Sequence, residues 1–528
     1  MTETADPTAV NGAQALIRTL VACGVDTCFT NPGTSEMHFV AALDAVPEMR
    51  GVLGLFEGVV TGAADGYARM AGRPAATLLH LGPGLGNGLA NLHNARKGHV
   101  PVVNIVGDHA TYHKQYDAQL ESDIETVARN VSAWIRRSDA TAEVGRDAAE
   151  TVAAAVGPPG GVATLILPAD VSWSAGGAVA EPAGPARAAV PAETDVVDAV
   201  AKALRSGEPV GLLLGGTALR EPGLVAASRL ANATGARLVA ETFPTRLERG
   251  AGLPPIDRLA YLAEFASAQL DGLRHLVVVD AKAPVSFFAY PGKDSYLVPD
   301  GCDVHLLAAP GGDATGALEA LAELVGAPED AATRQPADRP DVPSGALTAE
   351  SVARALGALL PEGAIVSDEG NTSSLFAPGL TAGAPRHDWL TLTGGAIGQG
   401  MPLATGAAVA RPDRKVINLE ADGSALYTVQ SLWTQAREGL DVVTIVFNNR
   451  SYAVLNMELN RVGAEAAGPK AKELLDLSRP DIDFVAISQG LGVPASRVTT
   501  ADELADRLAR ALAEPGPTLI EALVPPLM

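Results

Sequence analysis

The segment EADGSALYTVQSLWTQAREGLDVVTIVFNN, from Glu420 to Asn449, places an acidic residue after one apolar run and an amide pair after the next. Asp422 follows RKVINLEA, and Asn448 and Asn449 end DVVTIVFNN. Both runs are typical of strands, and the apolar spacing of SALYTVQSLWTQAREGL indicates a helix between them. Ligands bind beyond the carboxyl ends of parallel strands, so we expect Asp422 and Asn449 to meet at neighbouring strand ends.

A carboxylate and an amide oxygen are ligands that suit Mg²⁺, which typically keeps open positions for phosphate oxygens. The backbone N–H groups after Gly423 open the predicted helix and can hold an anion, in a chain whose net charge is −22. Asp-Gly and Asn-Asn are each common turn chemistry, so either pair alone would indicate only a turn. The spacing and the strand, helix, strand context favour a magnesium and phosphate site.

The 528-residue chain alternates short β-branched apolar runs with longer helical segments throughout its length. Two stretches rich in Pro, Ala and charge predict linkers at Gly176 to Asp195 and Gly326 to Glu350. The predicted fold class is α/β, with three doubly wound parallel-sheet domains. We expect a first domain at residues 1–175, a middle domain at 196–325 and a third domain at 345–528.

The composition limits the classes of partner. With 39 Lys and Arg against 61 Asp and Glu, the chain offers no basic stripe for nucleic acid or anionic lipid. Its start, MTETADPTAV, lacks a basic and apolar leader, and no apolar run approaches the roughly 18 residues of a membrane span, which favours a cytoplasmic protein. The three cysteines, Cys23, Cys28 and Cys302, show neither CxxC nor metal-ligand spacing.

The opening segment resembles the thiamine-diphosphate motif, Gly-Asp-Gly followed at a distance by Asn-Asn, of the acetolactate synthase, benzoylformate decarboxylase and pyruvate decarboxylase family. The resemblance extends over nearly the whole chain and implies thiamine diphosphate and Mg²⁺ as cofactors. It implies that the first domain binds the pyrimidine of the cofactor and that the third binds its diphosphate and the magnesium ion. It implies that Asp422, Asn449 and the backbone carbonyl of Ser451 bind the metal. The first glycine of the motif is replaced by Ala421, which fits with little strain if its φ is negative.

The resemblance also implies which residues contact the organic cofactor. Gly423 and Ser424 open the helix at the diphosphate end. In TGGAIGQGMPLATG, the carbonyl of Gly395 matches the acceptor for the pyrimidine amine, and Ile397 matches the residue that bends the cofactor. Without the resemblance, this glycine-rich segment would indicate only a helix packed closely on a sheet.

Glu57, in GVLGLFEGVVTGAADGYAR, follows an apolar run and matches the activating glutamate of the family. Its carboxyl would hydrogen-bond N1′ of the aminopyrimidine and favour the imino tautomer, whose nitrogen takes the proton from thiazolium C2. From its position alone, Glu57 could also be an exposed strand-end residue. Family members share the site between two subunits, so the resemblance implies a homodimer at least, with a homotetramer as the expected assembly.

Two further residues match catalytic positions of benzoylformate decarboxylase-like enzymes. His80, just before GPGLGNG, matches an active-site histidine, and Thr34, in TNPGTSEMHF, matches a serine that faces the substrate carboxylate. Alternatively, Thr34 or Ser35 serves only as a helix N-cap, and His80 is a structural residue. His109 and His113 follow the strand VPVVNIVGD and either line the same cleft or are solvated loop residues.

The substrate-facing positions depart from all three relatives. Phe287, Phe288 and Ala289 stand where benzoylformate decarboxylase has a second histidine, Leu455 where pyruvate decarboxylases have a glutamate, and Leu120 where acetolactate synthases have a glutamine. GPGLGNG does not fit a dinucleotide fingerprint, and LLLGGTAL in the middle block is too weak a loop to predict FAD or ADP. The cofactor residues are complete, whereas the substrate shell is altered.

These observations predict a thiamine-diphosphate- and Mg²⁺-dependent lyase that decarboxylates a 2-oxo acid and then protonates the resulting enamine or joins it to a second carbonyl compound. An acetolactate synthase, which condenses two 2-oxo acids such as pyruvate, is the enzymatic alternative. A catalytically silent regulatory or binding subunit is the alternative of another class, and it would be expected to lack the activating glutamate or the metal ligands.

Overall fold

The computed structural model describes residues 10–184, 188–464 and 468–527. These residues form three α/β units, each built on one sheet of parallel strands, with a single antiparallel pairing at the edge of the third sheet. The predicted α/β class with three parallel-sheet domains is confirmed.

The first unit contains six strands, β1 (Thr27–Asn31), β2 (Arg50–Leu53), β3 (Ala75–Leu79), β4 (Val102–Asp108), β5 (Trp134–Arg137) and β6 (Val162–Pro168). Its helices are α1 (Gly12–Ala22), α2 (Met37–Leu43), α3 (Glu57–Ala71), α4 (Leu81–Lys97), α5 (Ile124–Ala128), α6 (Val144–Val156) and α7 (Ala169–Trp173). The strands pair in the order β2-β1-β3-β4-β6-β5. Leu78 and Leu79 of β3 belong to different apolar cores, so both faces of the sheet are covered.

The second unit contains β7 (Val210–Leu214), β8 (Arg237–Ala240), β10 (Asp257–Arg258), β11 (His275–Val279) and β12 (Asp303–Ala308), with β9 (Leu247–Arg249) between β8 and β10 in the chain. Its helices are α8 (Thr194–Arg205), α9 (Glu221–Thr234), α10 (Ala263–Leu270) and α11 (Ala314–Val325). The sheet order is β10-β8-β7-β11-β12. Strand β9 leaves this sheet and joins the third one.

The third unit contains β13 (Ile365–Glu369), β14 (His387–Thr391), β15 (Val416–Ala421), β16 (Val442–Asn448), β17 (Ala495–Val498) and β18 (Thr518–Leu523). Its helices are α12 (Ala349–Leu359), α13 (Ala377–Leu380), α14 (Gly400–Ala410), α15 (Asp422–Ala425), α16 (Ser431–Glu438), α17 (Ala453–Arg461), α18 (Pro469–Leu474), α19 (Phe484–Gly490) and α20 (Ala501–Ala513). The order is β17-β18-β16-β15-β13-β14-β9, with β9 antiparallel to β14. The second unit is therefore joined to the third by a shared sheet edge.

The two predicted linkers connect the three units. The first lies between α7 and α8, and the second lies between α11 and α12. Each predicted linker runs two residues into the following helix, since α8 begins at Thr194 and α12 begins at Ala349. Residues 185–187 of the first linker lie outside the described residues.

The helix predicted over SALYTVQSLWTQAREGL is interrupted. Helix α15 ends at Ala425 and α16 begins only at Ser431. Between them, the Thr428 hydroxyl donates to the carbonyl of Gly398 at 3.0 Å. A contact with a distant loop therefore overrides the helical periodicity, and the prediction of one continuous helix is wrong at this point.

Helices α3 and α14 cross at very close range through small residues. A Cβ atom at Gly66 would collide with the backbone oxygen of Leu403, and one at Gly406 would collide with the backbone oxygen of Ala63. Only glycine at these two positions allows the backbones to touch. This crossing fixes the first unit against the third.

A buried ion pair strengthens the same junction. The Arg69 Nε donates to Asp65 Oδ1 at 2.7 Å, and both side chains are fully buried. Arg69 also donates to the carbonyl of Thr391 at 2.8 Å and to the hydroxyl of Thr393 at 3.0 Å, while Asp65 accepts from the Gln399 side chain. One ion pair on α3 thereby holds both ends of the segment that joins β14 to α14.

The longest helix in the described part of the chain is α4, with 17 residues. None of the helices described is both long enough and apolar enough to cross a lipid bilayer.

We expect Gly406→Ala to lower the free energy of unfolding by about 1–3 kcal/mol, because the added methyl group forces the two helix backbones apart. Gly490→Ala, in α19 where a Cβ meets nothing, serves as the control and should leave stability unchanged or slightly raised. Urea unfolding followed by tryptophan fluorescence gives both values. Equal midpoints for the two variants would contradict the close crossing.

Candidate functional site

Asp422, Asn449 and Ser451 come together in one turn at the carboxyl ends of β15 and β16. These two strands pair in parallel up to Ala421 and Phe447. The Arg450 backbone N–H donates to Asp422 Oδ2 at 2.7 Å, and the Ser451 N–H donates to Asn449 Oδ1 at 2.9 Å. The structure thus brings the three sequence-predicted metal ligands to one point.

Asp422 is 2% exposed and has no lysine or arginine within ion-pair distance among the described residues. Burial raises the pKa of the Asp422 carboxyl, while backbone N–H groups, including that of Gly423 at 2.8 Å, oppose the shift. A buried carboxylate without a cation is costly, and a divalent cation would supply the missing charge. The donor set therefore fits a hard metal ion such as Mg²⁺.

The diphosphate end of the predicted site begins at Ala421. Its φ of −80° is ordinary extended backbone, so alanine fits there without strain. Gly423 lies against the ring of Tyr452, where a Cβ would collide. The Ser424 hydroxyl accepts from the Asn371 side chain at 3.1 Å.

Asn371 and Ser373 were missed by sequence reasoning. They belong to the 3₁₀ turn Asn371–Ser374 that follows β13. The Asn449 Nδ2 donates to the Ser373 hydroxyl at 3.4 Å. The signal was present in the sequence, since DEGNTSS is a polar run directly after an apolar strand.

Gly395 and Ile397 lie in the loop 392–399 between β14 and α14. Gly395 has φ +74° and Gly398 has φ +91°, conformations that favour glycine. The Asn94 side chain on α4 donates to the carbonyl of Ala396 at 2.8 Å and accepts from its N–H at 3.1 Å. The loop is therefore fixed to the first unit rather than free.

Glu57 is the first residue of α3 and is 7% exposed. The Asn87 Nδ2 donates to Glu57 Oε2 at 3.0 Å. The Asn91 Nδ2 donates to the carbonyl of Gly58 at 2.8 Å and to that of Gly398 at 3.1 Å. A single amide thus ties the start of α3 to the loop that carries Gly395 and Ile397.

His80 immediately precedes α4 and is bonded to a glutamate that sequence reasoning missed. Its Nδ1 lies 2.8 Å from Glu36 Oε2, and the Gly33 N–H donates to the same oxygen at 2.8 Å. Neither Thr34 nor Ser35 caps a helix, because Gly33 precedes the 3₁₀ turn Thr34–Glu36 and α2 starts only at Met37. Thr34 is exposed. The predicted cap is wrong because the residues that precede the two helical segments are Gly33 and Glu36, and neither makes a side-chain cap hydrogen bond.

His80 and Glu57 face the same turn of α4. A Cβ at Gly84 would lie 3.2 Å from Glu57 Oε1, which is a tight contact, and 3.5 Å from His80 Cβ, which is an ordinary one. Both side chains therefore border one space above Gly84. An imidazole and a carboxyl there can each accept or donate a proton.

Two buried glutamates lie beneath the loop. Glu369 of β13 pairs in register with Glu420 of β15, and Glu369 accepts from the N–H groups of Gly398, at 2.6 Å, and Gly400. Burial raises the pKa of Glu369 to about 7. Burial, and then the charge of Glu369, raises the pKa of Glu420 well above its usual range. The pair therefore retains a proton near neutral pH.

Of the residues at the altered substrate-facing positions, Phe287 contacts the loop 392–399. The Phe287 ring packs against Gly395 and lies 5.7 Å from the Phe243 ring and 5.3 Å from the Tyr261 ring, centroid to centroid. Phe288, Ala289, Leu455 and Leu120 are all exposed, and the Ala289 side chain is too small to fill a pocket. Aromatic side chains therefore occupy the place where the resemblance to benzoylformate decarboxylases implied a second histidine.

His109 and His113 follow β4, which is the neighbour of the strand that leads to His80. Their ring centroids lie 5.2 Å apart. The His109 Nε2 is buried and has no hydrogen-bond partner among the described residues. That either ring lines the cleft stays a prediction.

The carboxyl edge of the middle sheet is filled by protein carboxylates. Asp280 Oδ2 accepts from the Thr217 N–H at 2.7 Å and its hydroxyl at 2.8 Å, and Asp280 Oδ1 accepts from the Gly311 N–H at 3.0 Å. Burial raises the pKa of the neighbouring Glu241 to about 8. The N–H groups of Thr217 and Gly311 at this edge are therefore bonded to Asp280.

We expect the stability contributed by Glu369 and Glu420 to fall as the pH rises from about 5 to 8, by at most about 1.4 kcal/mol per pH unit for each proton lost. The folded pKa values of Glu369 and Glu420 are raised, so their stabilisation is complete below the unfolded value and is lost as the pH rises through the folded values. Glu420→Gln should flatten this slope. Urea titrations across this pH range, with exposed Glu323→Gln as the control, measure it; an unchanged slope in Glu420→Gln would refute the assignment.

Two family models match the chain. They describe a "Thiamine pyrophosphate enzyme, N-terminal TPP binding domain", matched at residues 10–128, and a "Thiamine pyrophosphate enzyme, C-terminal TPP binding domain", matched at residues 368–522. The first match contains Glu57 and His80, and the second contains Asp422 and Asn449.

Individual relatives agree with these matches. The "Putative acetolactate synthase large subunit IlvX" of Mycobacterium tuberculosis is 64% identical over 520 residues, which cover 98% of this chain and 100% of that protein. The benzoylformate decarboxylase of Pseudomonas aeruginosa is 32% identical over 543 residues, which cover 94% of this chain and 96% of that protein.

A solved structure is also similar along the whole chain. The thiamine diphosphate-dependent 4-hydroxybenzoylformate decarboxylase of Rhodococcus jostii RHA1 superposes with a TM-score of 0.83 at 26% identity and covers 98% of this chain and 99% of its own. The resemblance inferred from the motifs is thereby confirmed. The chain belongs to the thiamine pyrophosphate enzymes and takes thiamine diphosphate as its cofactor.

Proposed function

We propose that this enzyme is a thiamine-diphosphate- and Mg²⁺-dependent lyase that decarboxylates a 2-oxo acid. The observation that carries the proposal is the retained, buried Glu57, which is held by Asn87 and tied through Asn91 to the loop with Gly395. A buried carboxyl at that place can exchange a proton with the cofactor.

The metal and the diphosphate would occupy the strand ends of the third unit. Asp422, Asn449 and the carbonyl of Ser451 would bind Mg²⁺, and the Ser424 N–H would receive a phosphate oxygen beside Gly423, whose own N–H donates to Asp422 Oδ1. The uncompensated carboxylate of Asp422 supports this role, because a divalent ion provides the charge that the protein lacks there.

The organic part of the cofactor would lie between the loop 392–399 and Glu57. The carbonyl of Gly395 would accept the pyrimidine amine, Ile397 would bend the cofactor, and the Glu57 carboxyl would exchange a proton with the pyrimidine N1′. Thiamine diphosphate supplies the nucleophilic carbon and the electron sink that decarboxylation of a 2-oxo acid requires.

His80 and Thr34 would act on the substrate. Thr34 would offer its hydroxyl to the substrate carboxylate, and His80 would orient the substrate or move a proton beside Glu57. Their support is that His80 and Glu57 both border the space above Gly84 and that Thr34 is exposed.

Acetolactate synthase-type condensation is the second candidate, and two observations favour it. The relative that is 64% identical carries an acetolactate synthase name, and Phe287 replaces the second histidine of benzoylformate decarboxylase-like sites. The ratio of CO₂ released to ketol formed separates the candidates. A catalytically silent subunit is disfavoured because Glu57, Asp422 and Asn449 are all retained.

We propose a homodimer at least, and a homotetramer as its full assembly, in the cytoplasm. Several large apolar side chains are exposed close in sequence to predicted site residues, as expected where a second subunit covers them. These side chains are Leu55, Leu375, Leu426, Tyr427 and Leu455. The domain bounds 1–175, 196–325 and 345–528 stay a prediction, and β9 shows that the middle segment contributes to the third sheet.

We expect CO₂ release from at least one 2-oxo acid, in a panel of aliphatic and aryl compounds with thiamine diphosphate and Mg²⁺. Glu57→Gln should lower that rate by about 10²–10⁴-fold, because the amide cannot exchange the proton. Exposed Glu48→Gln is the matched control and should keep the wild-type rate. Full activity of Glu57→Gln, or no turnover of any substrate by the wild type, would refute the proposal.

Removing the metal ligand should weaken cofactor binding. Asp422→Asn keeps the shape of the side chain but loses its charge, and we expect the Mg²⁺-dependent affinity for thiamine diphosphate to fall at least about 100-fold. Calorimetric titration at fixed Mg²⁺ measures the change. The exposed Asp413→Asn should bind as the wild type does, and equal affinity of the two variants would exclude Asp422 as a ligand.

A further inference from the structure

We infer that Glu36 is a positioning residue for the reaction, which fixes the His80 imidazole so that its Nε2 is the nitrogen presented to the cleft. The inference rests on the proposed function, because His80 is taken to act there on the substrate. Glu36 is remote from His80 in sequence, 44 positions away, and the fold alone brings them together.

The hydrogen bonds at Glu36 define which nitrogen of His80 carries the proton. Glu36 Oε2 accepts from the Gly33 N–H at 2.8 Å and lies 2.8 Å from His80 Nδ1. An ionised carboxylate is an acceptor only, so the His80 Nδ1 must donate to it. In the neutral ring the remaining nitrogen, Nε2, then holds a lone pair and faces away from Glu36.

The chain leaves space for this pair with two glycines on separate elements. A Cβ at Gly33 would collide with the His80 ring, and a Cβ at Gly107, in β4, would collide with Glu36 Oε1. Neither glycine has a positive φ, so the required feature is close approach rather than backbone conformation. The imidazole is thus held on one face by the Gly33 backbone and at its Nδ1 edge by Glu36.

Glu36 costs the folded state free energy. Its side chain is 1% exposed, and its Oε1 has no hydrogen-bond partner among the described residues. Burial raises the pKa of the Glu36 carboxyl, although the neighbouring His80 opposes the shift. A buried carboxyl with an unsatisfied oxygen stabilises the fold less than an apolar side chain of the same size would. Its benefit is therefore expected at His80.

The exposed part of the His80 ring is the part that can meet the substrate. Its side chain is 24% exposed, and its Cβ shares the space above Gly84 with Glu57 Oε1. A ring that is fixed in one tautomer meets the substrate with the same nitrogen in every turnover. A ring without such a partner would be distributed over two tautomers and two ring orientations. Glu36 acts through His80 and does not itself need to touch the substrate.

A double-mutant cycle tests this role. Glu36→Gln keeps the volume but lets an amide face Nδ1, so either tautomer is allowed; we expect kcat to fall at least about tenfold with a smaller change in KM. In a His80→Ala background, Glu36→Gln should have no further effect, because the ring on which it acts is gone. An equal loss in both backgrounds would show a merely structural role and overturn the inference. Glu48→Gln is the matched control in each background.

A spectroscopic measurement reads the His80 tautomer in the wild type itself. In protein labelled with ¹⁵N only at its nine histidines, the His80 signals are assigned by their loss in His80→Asn. The neutral ring should show the proton on Nδ1, and a proton on Nε2 would overturn the inference.

The two failures are distinguishable. If the wild type releases no CO₂ from any 2-oxo acid, the proposed function fails, and the His80 tautomer still decides whether Glu36 fixes the ring. If the wild type is active but the cycle is additive or the proton lies on Nε2, the inference about Glu36 fails alone.

Discussion

The buried Asp65–Arg69 ion pair is the interaction on which the geometry of the site depends. It lies on α3, and it binds Thr391 and Thr393 at the start of the loop 392–399 and Gln399 at its end. Breaking a buried pair leaves an uncompensated charge, so neither end of the loop can leave α3 without a large penalty. Because Glu57 begins the same helix, the pair helps to set the distance between the Glu57 carboxyl and the loop.

Side-chain amides also hold the loop 392–399 in place. Asn91 and Asn94 of α4 bond to the carbonyls of Gly398 and Ala396, so the loop is held from two helices of the first unit. The close crossing of α3 and α14 at Gly66 and Gly406 brings these partners within reach. Packing determines the approach of the two units, and the polar contacts then select one register, since every misplaced donor would be left buried and unpaired.

The features that the sequence predicted are those fixed by local pattern and strand order. Strand periodicity and parallel pairing were enough to place Asp422 and Asn449 at neighbouring strand ends. The missed features depend on contacts between distant segments. The break between α15 and α16 is stabilised by the bond from Thr428 to Gly398, and the partner of His80 is a glutamate in another loop. No local spacing encodes either contact, and the same holds for β9, which crosses to the third sheet.

The same distinction explains why the cofactor-binding residues could be predicted from the sequence, whereas the substrate could not. Cofactor contacts come largely from strand ends and backbone groups, which the fold itself positions. The substrate shell is made of side chains such as Phe287, which the middle unit brings against Gly395. At that place an aromatic ring can pack but cannot move a proton. Under the proposed function, proton transfer to or from the substrate would then fall to Glu57, His80, the cofactor or water, so the orientation of His80 would bear on which product forms.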